Sequence, residues 1–473
     1  MKKYLLSIAS YILAITTLTS CLGEDDNLTY YNDAAITSFS VGTLNRYMHK
    51  TKADGTDSIY KRTVNCSGYA FCIDHTNGLI WNTDSLPLGI DASKVLCKIT
   101  TKNSGSVGLK NIKNDSLSMF STKDSIDFTS PRDFYIYSNY GTGMRKYTVK
   151  VNVHKEKADT CIWTKVLDAD AAIAALTEMK ALSDGKKIYL FGVEGSETRL
   201  YTTAVTDGRT WTKVNTTPAL TAEAVKSALM KQGKIYTLSA GKVLSSDDGA
   251  NWTTVATTGQ KQLVAASTAH LYALSADNKL MSSADNGATW TEETLDEDAK
   301  LLPTEDLSFA CRKLRTNDST DKIVLIGNRN AANYSGDTTA AVWTKLDEYG
   351  SGARNNPWNY VEFESINKWK APRAKNWQLT NYDGGNIKAI AGSSPDGSTK
   401  ALSQIYSSGD DGITWMTDSV MPMPKGLSSS DTSFAMTADK AGSLWVICGG
   451  TGQVWKARIN RVAWREEQKY FKK

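Results

Sequence analysis

Apolar and polar positions alternate with a period of two along much of this chain, the spacing of half-buried β-strands. The clearest case is RKYTVKVNVHK, which places Val149, Val151 and Val153 on one face. YAFCIDH, GLIWN, KVLCKITT and DFYIYSN repeat the pattern between turn residues. Short strands at such intervals predict a β-sandwich over residues 37–157. From residue 158 onward the rhythm changes to a recurring strand pair: KALSDGKKIYLFGVEG, KSALMKQGKIYTLSAG, QLVAASTAHLYALSAD, FACRKLRTNDSTDKIVLIGN, NYDGGNIKAIAGSS and SFAMTADKAGSLWVICGG. The fold class expected is all-β, with residues 158–473 forming a second domain built of repeats.

Three of these pairs are followed by near-identical segments, LSSDDGANWTTV, MSSADNGATWTEE and YSSGDDGITWMTD. Each carries Ser, any residue, Asp, any residue, Gly, two residues and Trp. The positions are Ser245, Asp247, Gly249 and Trp252; Ser283, Asp285, Gly287 and Trp290; Ser408, Asp410, Gly412 and Trp415. This is the Asp-box of BNR repeats. Its carboxylate accepts backbone N–H groups of a hairpin turn, Gly supplies a positive φ, and Trp opens the next strand and packs between sheets. A scaffold role follows for these aspartates. A degenerate fourth copy, YTTAVTDGRTWTKV, keeps Gly208 and Trp211 but has Thr206 where the Asp is expected, and Trp163 and Trp343 mark eroded copies.

Counting pairs gives a β-propeller of six blades. The strand around Trp163 is expected to complete the last blade and close the ring. Seven blades is the alternative, with Trp464 marking the extra one.

The chain opens with MKKYLLSIASYILAITTLTSC, a basic start, a short apolar run and small residues before a cysteine, which is the profile of a cleaved signal peptide over residues 1–20. The apolar run is too short and interrupted for a confident span. Leu18, Thr19, Ser20 and Cys21 resemble the bacterial lipobox, in which the cysteine is lipidated and becomes the mature N-terminus. Residues 21–36 read as a flexible tether. Its cluster Glu24, Asp25 and Asp26 is similar to the export signal of Bacteroidetes lipoproteins. That resemblance implies an outer-membrane protein, lipid-anchored and facing the cell exterior.

A formal charge of +5 spread over 473 residues marks no nucleic-acid surface, so no nucleic-acid partner is expected. Besides Cys21 there are six cysteines, none at zinc-site spacing, and disulfides are permitted without being demanded. Four scattered histidines make no metal motif, and no phosphate loop or nucleophile elbow occurs. Neither metal nor cofactor is expected. The arginines, among them Arg199, Arg209, Arg312, Arg315, Arg329, Arg354 and Arg373, occupy no recurring strand position that would aim three of them at an axis, as a sialidase needs. No catalytic residues are assigned. A pair of carboxylates is defined by distance in space and leaves a glycoside hydrolase or lyase open as an alternative.

One stretch breaks the blade rhythm. Residues 349–385 hold Trp358, Tyr360, Phe363, Trp369, Trp377 and Tyr382 among Arg354, Lys368, Lys370 and Arg373. Trp358, Tyr360, Trp369, Arg373 and Trp377 are the candidate ligand surface, and packing of a long connection onto the ring is the competing reading.

The lipobox, IWNTDSLPLG and IYSSGDDGITW together resemble an uncharacterised family of Bacteroidales surface lipoproteins, which pair an Ig-like N-terminal domain with an Asp-box propeller. The resemblance implies location and architecture and supplies no catalytic residues. A non-catalytic surface binding module is the function expected. Glycan is the first ligand class by analogy of fold and habitat, and a scaffold role in protein assembly is the third reading.

Overall fold

A computed structural model describes residues 30–51, 56–382, 384–461 and 463–465. Cys21, the leader and the acidic cluster of the tether lie outside these residues. The described residues form two compact units, one running to Ala158 and taking in residues 463–465, the other being Asp159–Arg461.

In the first unit a six-stranded sheet runs in the order Phe71–Asp74, Leu79–Asn82, Met144–Lys150, Arg132–Tyr137, Ser106–Lys110 and Leu117–Met119. All neighbours are antiparallel except Met144–Lys150 with Leu79–Asn82, which pair in parallel. Period-two burial builds its core: Phe134, Ile136, Tyr147 and Val149 point inward beside Ile36, Phe39 and Val41 of a separate strand pair, Ile36–Val41 with Cys97–Thr101. A two-stranded hairpin, Thr43–Thr51 with Asp57–Asn65, forms a sheet of its own.

The second unit is a propeller of six blades among the described residues, each an antiparallel meander of four strands, the first with a short fifth strand, Leu220–Thr221, paired to Glu197–Ala204. The innermost strands are Met179–Ser183, Leu229–Lys231, Gln260–Ala266, Glu305–Lys313, Gln378–Tyr382 and Phe434–Ala438, for blades 1 to 6 in chain order. Each packs against the next around an axis, and the sixth returns to the first. The ring closes as the pattern around Trp163 predicts. Thr160–Leu167 is the outer strand of blade 6 and pairs with Val454–Asn460, Trp163 lying opposite Ala457. Closure leaves no sheet within the ring open at the joint.

Trp464 is not a seventh blade's marker. It bridges Lys157 in the first unit, its N–H donates to the Glu156 carbonyl at 3.2 Å, and the Arg46 guanidinium stands 4.1 Å over its ring. A cation over an indole face is a stabilising contact.

Candidate functional site

The meander dictates where functional groups can converge. Inner strands begin at the end of the ring where second strands turn into third ones, and they finish at the end that carries the turns between third and fourth strands. The Asp-boxes occupy those last turns.

In blades 3 and 5 these turns share one set of bonds. Ser283 Oγ donates to Asp285 at 2.7 Å and accepts the Gly287 N–H at 2.7 Å, while Asp285 accepts the Thr289 N–H at 2.9 Å and the Trp290 indole donates to the Gly287 carbonyl at 3.2 Å. Ser408, Asp410, Gly412, Thr414 and Trp415 repeat the set. These hydrogen bonds hold the Asp285 carboxyl down at about 2.

Blade 2 corrects the expected register. There Ser246 donates to Asp248 at 3.0 Å and accepts the Gly249 N–H at 2.9 Å, and Asp248 accepts the N–H groups of Ala250 and Asn251. Ser245, one residue earlier in the same strand and opposite Tyr236, takes no part in the turn's bonds, and Asp247 points to solvent, 81% exposed, with Lys234 at 3.4 Å. The reason is turn length. Blades 3 and 5 place two successive positive-φ residues in the turn, Asn286 with Gly287 and Asp411 with Gly412, whereas blade 2 has Gly249 alone and is one residue shorter between bonded Ser and Gly. Blade 1 has a longer turn, the bonded pair standing five positions apart: Thr203 Oγ1 accepts the Gly208 N–H at 3.1 Å, and Asp207, directly before the glycine as Asp248 is in blade 2, accepts from Thr210 at 3.1 Å in place of position 206.

Each box also locks onto the preceding blade. A Cβ on Gly287 would come within 2.8 Å of Val243, and one on Gly412 within 3.0 Å of both Val324 and Val342. Close packing of backbone on a neighbour's side chain, together with φ of +99° and +96°, requires glycine at both positions.

The aromatic stretch has been absorbed into packing. Trp358 is fully buried, and it directly precedes Asn359–Tyr360, the fourth strand of blade 4. It therefore holds the place of a box tryptophan after a long turn, and its N–H donates to the Thr294 carbonyl as that of Trp252 donates to the Thr217 carbonyl. Trp343 instead lies in the third strand of blade 4, so it marks no eroded box. Trp377 is buried against Tyr406 and Trp415, Tyr360 packs on Trp343, and the Arg373 guanidinium is spent on carbonyls of Tyr334, Asp337 and Arg329. The expected ligand surface is therefore corrected: Trp358, Tyr360, Arg373 and Trp377 are structural. Trp369 alone of the five is exposed, at 51%, near Ile366, Ile413 and Met416 on the outside of blade 5.

Concave space lies on the axis instead. A cavity of about 750 Å³ opens at the end opposite the boxes, lined by the first residues of the inner strands. A second, of about 430 Å³, continues toward the box end, and Lys180 and Gln378 line both. At the wide mouth every lining carboxylate is held by a neighbour. Glu178 pairs with Lys226 at 3.2 Å, and Glu223 accepts the Ala240 N–H at 2.9 Å. Glu305 takes Asn330 and the Ala331 N–H, and Asp306 takes the Asn376 N–H at 2.9 Å and Asn328 at 2.8 Å. Asp306 and Asn376 both sit at positive φ, 53° and 47°, a conformation these two residue types tolerate.

Two lysines of this mouth's lining, Lys180 and Lys261, form no ion pair among the described residues; Lys261 donates to Asn278, and Lys180 alone of the two lines both cavities. Its Nζ donates to the Lys226 carbonyl at 3.3 Å, and no carboxylate stands within ion-pair distance among the described residues. Desolvation by the channel walls pushes its amine down to about 8. Sequence reading passed over it, because KALS looks like any strand start.

A Ser, His and Asp also meet beside the narrow cavity without making a nucleophile. Ser267 Oγ donates to Asp347 and accepts the N–H groups of Ala269 and His270, and His270 Nδ1 meets the same carboxylate at 3.0 Å. The serine proton thus goes to the acid and not to the imidazole, which is the wiring of a turn and not of a triad. Burial raises the Asp347 carboxyl, yet bonds from His270 and Ser267 outweigh it and hold it below the ordinary range. Arg312 closes the same end with a two-pronged contact to Asp411.

The six described cysteines are free, and burial pushes the thiols of Cys97 and Cys448 up to about 12. Among the described residues no group of three or more His, Cys, Asp or Glu is placed to hold a metal, and no helix is long and apolar enough to cross a membrane.

Comparisons with known proteins bear on this picture. No curated protein matches the chain. Among solved structures it is similar to a structural-genomics protein of unknown function from Bacteroides thetaiotaomicron, at 11% identity over 91% of this chain and 99% of that one, with a TM-score of 0.43. An auxiliary nutrient binding protein from the same organism aligns at 10% identity over 80% and 98%, TM-score 0.39, and a Trichoderma reesei carbohydrate-active enzyme of family AA12 at 11% over 64% and 97%, TM-score 0.41. None superposes closely enough to carry an argument about ligand or chemistry. Two family models match: the DUF6242 N-terminal domain of unknown function over residues 39–151 and the DUF6242 beta propeller domain over residues 157–467. With the propeller model alone covering more than half of the chain, the protein belongs to the DUF6242 family.

Proposed function

We propose that this protein is a cell-surface lipoprotein whose propeller acts as a non-catalytic binding module, taking a glycan into the wide axial mouth. The observation that carries the binding reading is the 750 Å³ cavity lined by charged and amide side chains, a volume in the range of ligand sites. Its carboxylates, Glu178, Glu223, Glu305 and Asp306, are already bonded to neighbours, whereas a hydrolase needs a pair of them turned toward the substrate. Leu18, Thr19, Ser20 and Cys21 support a lipid anchor, with an Ig-like module as the spacer that raises the propeller.

The test is a glycan array probed with the whole chain beside a Gln262→Trp variant, which fills the mouth from an inner strand. Binding lost in the variant supports the reading. Absence of binding across a broad array would sink the glycan class and turn the search to protein partners. Incorporation of labelled palmitate that persists in Cys21→Ser would overturn the anchor.

A further inference from the structure

The narrow cavity differs in charge from the wide one. Its lining contains Lys180, Lys231, Arg312 and Lys313 against the single acid Asp321. Arg312 is neutralised by Asp411, which leaves Lys180, Lys231 and Lys313 against the one carboxylate of Asp321, itself accepting the Thr268 N–H at 2.6 Å, so the net charge of the lining is cationic. Lys231 is buried, donates to the Asn286 amide oxygen at 2.8 Å and feels the Asp347 carboxylate without pairing to it, and Lys180 donates only to a carbonyl. Lys180 stands where the two cavities join, on the inner strand of blade 1 between the buried Met179 and Ala181, so its alternation sends the side chain to the axis.

Lys180 is half-buried, and an ammonium in a cavity wall without a paired carboxylate leaves a charge that a ligand can complete. None of the nearby carboxylates pairs with it: Glu178 is engaged by Lys226, while Glu305 and Asp306 keep their charge and turn to backbone and amide donors.

We infer that the axial channel is built for an anionic ligand, whose carboxylate or sulfate group reaches past the wide mouth and pairs with Lys180 at the junction of the two cavities. The inference rests on the channel being the ligand site and names the chemistry of what enters it: an acidic saccharide and not a neutral one. Burial that depresses Lys180 and Lys231 is the electrostatic counterpart of this arrangement, because a bound anion would relieve it.

The experiment is a thermal-shift comparison of the whole chain with Lys180→Met near pH 7, where the amine is protonated. The probes are sodium galacturonate, sodium sulfate and galactose at matched ionic strength, with chloride as the baseline. Lys180→Met keeps the stem and removes only the unpaired charge, so the variant is expected to fold and to melt no lower than the parent. The parent should melt higher in galacturonate or sulfate than in chloride or galactose. That rise should vanish in the variant, with apparent affinity reduced about tenfold or more. A rise with galacturonate alone assigns the carboxylate, and one with sulfate alone assigns a sulfate ester. Equal rises in parent and variant, or none in either, overturn the inference. Neutral glycans captured on the array with no Lys180-dependent shift would leave the binding reading standing without it. A Lys180-dependent shift with a blank array would do the reverse.

Discussion

Asp248 and Asp285 do their work as acceptors of turn N–H groups, and each is held down at about 2 by those bonds. Both titrate lower in the folded chain than an unfolded aspartate does. Their stabilisation is therefore fully present above about pH 4 and lost as pH falls toward about 2. Urea midpoints should be flat at mildly acidic pH and then drop across that window, and Asp285→Asn should lower the neutral midpoint while shrinking the drop. A variant with an undiminished acid drop would show that the box carboxylate is not the titrating group. Because both groups are exposed, solvent screening keeps the effect modest.

At the scale of the element, the box is a turn that joins two blades, and its register is a matter of one residue. The sequence SSDDG offers two serines and two aspartates at compatible spacing, and the motif alone picks Ser245 and Asp247. The folded turn uses Ser246 and Asp248, because Ser246 ends the strand one residue nearer the glycine and strand alternation turns Ser245 to the other face. Ser246→Ala should therefore cost about 1–2 kcal/mol for a lost buried hydrogen-bond acceptor, and Asp247→Ala close to nothing. Chemical denaturation of the two variants separates them, and the reverse ranking would restore the register read from the motif. The same scale explains the tryptophans. A long turn between third and fourth strands hides that Trp358 is a box position, so an aromatic-rich segment looks like a binding surface when it is a blade's own core.

For the whole molecule, the blades hold through apolar faces and a few enclosed ion pairs. Lys345 of blade 4 reaches Glu293, just past the fourth strand of blade 3, at 2.6 Å, with both side chains almost fully buried. Removing one partner strands the other charge, so Lys345→Met should destabilise by about 3–5 kcal/mol, and adding Glu293→Leu should recover most of the loss. Equilibrium unfolding of the single and double variants reads this directly, and an additive double variant would place the cost elsewhere. Six blades closed by Thr160–Leu167 also bring together what the chain keeps apart. Inner strands that begin roughly every fifty residues meet on one axis, where Lys180, Gln262, Asp306 and Gln378 become neighbours.

The sequence by itself determined the all-β class, the repeat, the six strand pairs and the closing strand around Trp163, because period-two burial and turn chemistry act between residues close along the chain. Tertiary structure alone decided which Ser and Asp of SSDDG bond, that Trp358 and Trp377 are core, that Trp464 belongs to the first unit, and that the candidate site is the axial channel. Those outcomes depend on distances between strands of different blades. Lys180 acquires its place on the axis only when the inner strands of the other blades close the channel around it.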